Sequence, residues 1–169
     1  MSDHLRLSEA NMDGIVLLRD DHKKVEQLFK EFEKTKDSAT SAAKRKLVDK
    51  ICNELTTHAY IEETVFYPAA RESVPATDEH VLESVEEHHV VAWLLSELRE
   101  LDPRNETFDA KVTVLIENVR HHVQEEEQDW FPEVRKALGR NRLAELGEEM
   151  AKARSAAPAD PLALQSARV

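Results

Sequence analysis

The residues best suited to chemistry in this sequence are histidines followed, four positions on, by a glutamate. His58 leads HAYIEETVFYPAAR and His122 leads HVQEEEQDWFPEVR, so histidine, a carboxylate four later, a second beside it, two aromatics, proline and arginine recur in one order. On a helix, four residues turn about 400° and rise about 6 Å, which puts His58 with Glu62 and His122 with Glu126 on shared faces. Each pair can hold a cation from a single helix. A second echo lies upstream of each copy: DDHKKVEQLFKEF around His22 overlays EEHHVVAWLLSEL around His88, 66 residues apart, against 64 for the first pair. Two copies of a helix pair are the simplest account. Packed as an antiparallel bundle, they point four histidines and two carboxylates into one core.

Taken singly, each histidine reads as a core imidazole satisfied by a carboxylate, and Glu62 or Glu126 as half of an ordinary buried ion pair. The duplicated pattern would require that reading at every position at once. Bound cations instead remove the cost of burying two carboxylates together. Nitrogen and oxygen donors without Cys or Met side chains argue against Cu(I) and iron–sulfur clusters, and two bridging carboxylates suit two cations a few ångström apart. Imidazole with carboxylate suits iron, with manganese or zinc as substitutes. The Glu-x-x-His pairs of ferritin-like di-iron proteins occur only at Glu86–His89, unpaired, which disfavours that class.

The elements that must position these residues are helices. Residues 1–11, including His4, read as an arm, and a helix is expected from about 12 to 36 with Ile15, Leu18, His22, Val25, Phe29 and Phe32 inward. After DSATSAA a second helix of about 30 residues carries Leu47, Ile51, Leu55, His58, Glu62, Val65 and Ala69 on one stripe. Glu63, about 100° round, faces solvent or backs a ligand. The third, about 78–101, places His88 on the stripe of Val81, Val85, Val91 and Leu95; His89 shares a poorer register with Trp93. The fourth, about 107–138, carries Val112, Leu115, Val119, His122, Glu126 and Trp130 inward, with His121 rotated away. Pro68 and Pro132 each predict a kink or early unwinding. Gly139 reads as a terminator, 140–153 as a short, mostly polar helix lying across the bundle, and 154–169 as a disordered tail with two prolines.

At 169 residues, with three glycines and 34% charged residues, the chain reads as one all-α domain, an up-and-down four-helix bundle over 12–139. A net charge of −11 opposes approach to nucleic acid or an anionic membrane. No apolar run reaches a bilayer span and MSDHLRLSEANMDG has no signal-peptide core, so a cytoplasmic location is expected. Cys52, alone between Ile51 and Leu55, reads as a buried, inert thiol. Nucleophile triads, phosphate-binding glycine loops and HExxH motifs are missing from the sequence.

DHKKVEQLF, HAYIEETVFYP, EEHHVVAWLL and HHVQEEEQDWFP together resemble the hemerythrin-like, HHE cation-binding family over roughly residues 12–138. The resemblance implies a bundle around a non-haem di-iron centre, oxo- or hydroxo-bridged, with His22, His58, His88 and His122 as terminal ligands and Glu62 and Glu126 as bridges. Oxygen-carrying members place a further histidine four residues from the third-helix one, where His88 has Ser84 and Ala92, and an aspartate where this chain has Glu127. The ligand set is one histidine short. Water or a small ligand, or a side chain among Tyr60, Tyr67, Glu63, His89 and Glu127, completes it, with Tyr60 slightly preferred among the phenols because it lies between two ligands. The implied function is redox handling of peroxide, oxygen or nitric oxide, catalase-like or peroxidase-like if enzymatic. The alternative is non-enzymatic oxygen or iron binding, storage or sensing. The expected partner is that small molecule, with the protein a monomer or weak homodimer.

Overall fold

A computed structural model describes residues 12–164; the arm over 1–11 and the last five positions lie outside the described residues. Asp13 caps the first helix, its carboxylate accepting from the Val16 N–H at 2.8 Å, and α1 runs Gly14–Thr35. Thr40 caps α2, Ser41–Ile61, in the same way through the Ala43 N–H. One π-helical turn, Glu62–Phe66, joins α2 to α3, Tyr67–Ser73. After the 3-10 turn Pro75–Thr77 comes α4, Asp78–Glu100, then α5, Phe108–Glu125, whose π-helical turn Glu126–Trp130 leads into α6, Phe131–Ala153. These rods form the expected four-helix bundle.

The prolines do not unwind the helices. Proline lacks an N–H, so the carbonyl one turn back loses its α-helical partner. Both copies widen that turn instead: the Tyr67 N–H reaches Glu62 O and the Phe131 N–H reaches Glu126 O, each five residues back. The rod continues, shifted in register.

Two expectations about the C-terminal region need correction. Gly139 breaks α6 with φ 76°, a left-handed conformation suited to glycine, as expected of a terminator. The following arm, 140–153, is no polar cross-piece, because Leu143, Leu146 and Met150 are fully buried beside Ile15 and Leu18 of α1. Three apolar residues at helical spacing, set among charged ones, are enough to seat it. Residues 154–164, expected as the start of a disordered tail, hold defined positions, with a 3-10 turn Arg154–Ala156 and a buried Pro161. Contacts to α1 and α4, invisible in local composition, hold them there.

The core is divided into two apolar clusters. One gathers Leu18, Ile61, Phe66, Trp130, Val134 and Leu146, and the other Val25, Phe29, Ile51, Leu95, Leu98 and Val112. Between them lies a layer of buried polar side chains: His22, His58, Glu62, His88, His122 and Glu126.

Candidate metal centre

α1, α2, α4 and α5 each supply one histidine to this layer, and the π-helical turns that follow α2 and α5 each supply a glutamate. His22, His58, Glu62 and Glu126 offer donor atoms within 4.8 Å of one another, as do Glu62, His88, His122 and Glu126. The two groups share Glu62 and Glu126. Their carboxylates thus stand between two sets of imidazoles, the placement that two bridged cations require. His122 Nε2 lies 2.6 Å from Glu126 Oε1, His22 Nε2 lies 3.6 Å from Glu126 Oε2, and His58 Nε2 abuts Glu62 Oε1.

The outer nitrogen of every ring meets a further carboxylate. His58 Nδ1 is 2.9 Å from Asp21 Oδ2 and His122 Nδ1 is 2.8 Å from Glu87 Oε2. His88 Nδ1 is 3.2 Å from Glu63 Oε2 and His22 Nδ1 is 3.1 Å from Glu127 Oε1. An ionised carboxylate only accepts, so each Nδ1 carries a hydrogen, and Nε2 is the nitrogen that would give a lone pair inward once a cation takes the place of any proton on it. Sequence reasoning missed Asp21 and Glu87, although each precedes a histidine in the matching DDH and EEH triplets. Glu63 and Glu127 back His88 and His22 from the position after each inner glutamate.

The charge balance fits a cation. Burial alone lowers the affinity of the His58 ring for protons, but Glu62 and Asp21 outweigh it and raise its pKa to about 10. His122 is driven well above its ordinary value against burial by Glu126 and Glu87. His88 goes the other way, to about 4, where burial and the neighbouring His122 charge prevail over Glu62. The Glu126 carboxyl, though buried, is held well below the usual range by His122 and His22. Even so, His22 Nε2, Glu62 Oε2 and Glu126 Oε2 are buried without a hydrogen-bond partner among the described residues. Orphaned donors and acceptors facing one another at the centre of a core are costly unless an ion sits among them. Their chemistry suits iron, manganese or zinc.

Of the two phenols, Tyr67 and not the slightly preferred Tyr60 reaches this layer. Its hydroxyl donates to Glu126 Oε1 at 2.8 Å and lies 3.3 Å from His88 Nε2, and burial first, then Glu126 and Glu62, hold it protonated well above its ordinary value. Tyr60 is half-buried against the apolar cluster. The reason is the π-helical turn: in an unbroken α-helix Tyr67 would stand about 140° round from Glu62, and the wider turn stacks it one full turn above. Phe131 occupies the matching place beside His22, with ring planes 4° apart, but has no hydroxyl. His89 lies outside the site, its half-exposed ring 3.6 Å from Glu86, and His121 is paired with Glu125 on the surface.

A cavity of about 50 Å³ opens beside the four imidazoles, walled by residues such as Val25, Leu55, Val91, Leu95 and Val119. Ala92, one of the two small residues flanking His88 by a helical turn, lines it. Among the described residues no helix is long and apolar enough to cross a membrane.

A family model described as the hemerythrin HHE cation binding domain matches residues 13–134. The chain is 29% identical over 139 residues to a DNA nickase of Nostoc sp., a match that covers 82% of this chain and 38% of that protein. It shares its fold with a crystal structure of a hemerythrin HHE cation binding domain-containing protein from Mycobacterium kansasii. That match has a TM-score of 0.70 and 23% identity, and covers 94% of this chain and 93% of the other.

Proposed function

This chain belongs to the hemerythrin HHE cation binding family, and we propose on that premise that it is a non-haem di-iron protein that processes a small oxidant such as peroxide, oxygen or nitric oxide. The observation that carries the reading is the sharing of Glu62 and Glu126 between two groups of histidines. His22 and His58 would hold one ion, His88 and His122 the other, with both carboxylates bridging. When bound, such a pair supplies Lewis acidity and electrons to a small oxidant. The chain's own residues do the rest. Asp21, Glu63, Glu87 and Glu127 orient the rings, and Tyr67 keeps a proton against Glu126 and beside His88. The apolar cavity, about 50 Å³, has room for a diatomic or peroxide.

The name of the Nostoc relative belongs to that protein, of which the match covers 38%, and a net charge of −11 works against approach to a polyanion.

Metal analysis of freshly purified protein with an absorption spectrum tests the reading. Close to two irons per chain, lost together in Glu62→Ala because a bridge serves both ions, is the expected result. Peroxide consumption that disappears in His122→Ala supports turnover. A reversible colour change under oxygen without peroxide consumption moves the assignment to a carrier or sensor. Protein that binds no transition metal sinks it.

A further inference from the structure

Residues 154–164 leave the end of α6 and cross the seam between α2 and α4. Three of their contacts with the bundle bear on the site and its cavity. Arg154 Nη2 donates to Asp21 Oδ1 at 2.6 Å, and Asp21, 1% exposed, accepts from His58 Nδ1 with its other oxygen. Arg99 Nη1 of α4 donates to the Ala159 carbonyl at 3.1 Å. Pro161, buried although it follows the last helix, lines the cavity together with Leu164. Among the described residues, these two are the only lining ones that the four rods do not provide. Pro158 and Pro161 limit the conformations of the free segment, which lowers the entropy lost on seating it.

We propose that residues 154–164 are a strap that closes the cavity, with Pro161 and Leu164 as its plug and Arg154 as a latch. The latch is tied to the site, because the carboxylate that takes Arg154 also orients His58. Opening the strap exposes the cavity and its imidazoles to solvent, and releasing Arg154 loosens the His58 ring at the same moment. Passage of a ligand larger than the cavity's closed outline depends on that opening. None of this requires a bound ion, so the proposal stands or falls apart from the di-iron reading.

The test uses metal-free protein and diethyl pyrocarbonate, with ring modification read peptide by peptide by mass spectrometry. His89 and His121, both exposed, serve as internal controls, and His88 reports the cavity. In a chain ending at Ala153, and in full-length Leu164→Glu, His88 is expected to react about tenfold faster or more, with the controls unchanged and the helical circular dichroism retained. Arg154→Ala gives a smaller rise that Arg154→Lys reverses. If the shortened chain does not fold, Leu164→Glu decides. His88 reacting in folded Leu164→Glu at the rate of the unaltered protein overturns the proposal.

Discussion

At the scale of single residues, the site is two nested shells of opposite function. The inner donors would grip ions, while Asp21, Glu63, Glu87 and Glu127 aim the rings that do so. Outer partners of this kind typically govern affinity by about 10–100-fold. Asp21→Asn and Glu87→Gln should each weaken metal binding by about that factor, measured by competition with a chromophoric chelator; unchanged affinity would show that the rings need no such support. The histidine pKa shifts also define a pH optimum for the metal-free protein. For His58, raised from 6.5 to about 10, the stabilisation is complete below 6.5 and is lost as pH rises through that window, because the folded state keeps a proton the unfolded state releases. For His88, lowered from 6.5 to about 4, the unfolded state binds the proton first, so stability falls as pH drops from 6.5 toward 4. Melting temperatures of chelator-treated protein should therefore peak near neutrality and fall on both sides. In Glu62→Gln the alkaline fall should shrink, since the charge that contributes most to raising His58 is gone.

At the scale of elements, the two π-helical turns and the second arm of α6 matter most. Each π-helical turn ends two residues before a proline and delivers the aromatic between them to a histidine ring: Tyr67 to His88, with centroids 5.6 Å apart, and Phe131 to His22, with centroids 6.0 Å apart. One structural device thus serves both halves, and one hydroxyl makes them unequal. The second arm closes the apolar end of the bundle, where Leu146 has no exposed surface. Leu146→Ala should cost about 2–5 kcal/mol by deleting buried methyls and leaving a cavity. Denaturant titration checks this, and a loss below about 0.5 kcal/mol, the range of ordinary surface substitutions, would mean the arm is peripheral after all.

At the scale of the whole molecule, two apolar clusters enclose a polar layer that neither could stabilise alone. A metal-binding layer in that position ties four helices together, so the loaded protein should melt higher than the chelated one. The chain as a whole has a net charge of −11. Incubated with supercoiled plasmid and magnesium or manganese, the protein should produce no more nicked circles on a gel than His22→Ala does. Metal-dependent nicking that His22→Ala lacks would reverse the view that nucleic acid is no partner.

The helices and the six inner residues were legible in the sequence because both rest on local periodicity. A four-residue step keeps histidine and glutamate on one face whatever surrounds the helix, and duplication marked the pattern as more than chance. Even the preference for His88 over His89 followed from the stripe of apolar neighbours. Tertiary structure alone decided what depends on neighbours far along the chain. Asp21 reaches His58 and Glu87 reaches His122 only because particular helices pack side by side. Tyr67 displaced Tyr60 because a π-helical turn altered the register that ideal helix geometry assumed. Residues 154–164 gained their place from Asp21, Arg99 and the mouth of a cavity, none of which a reading of their own composition could contain.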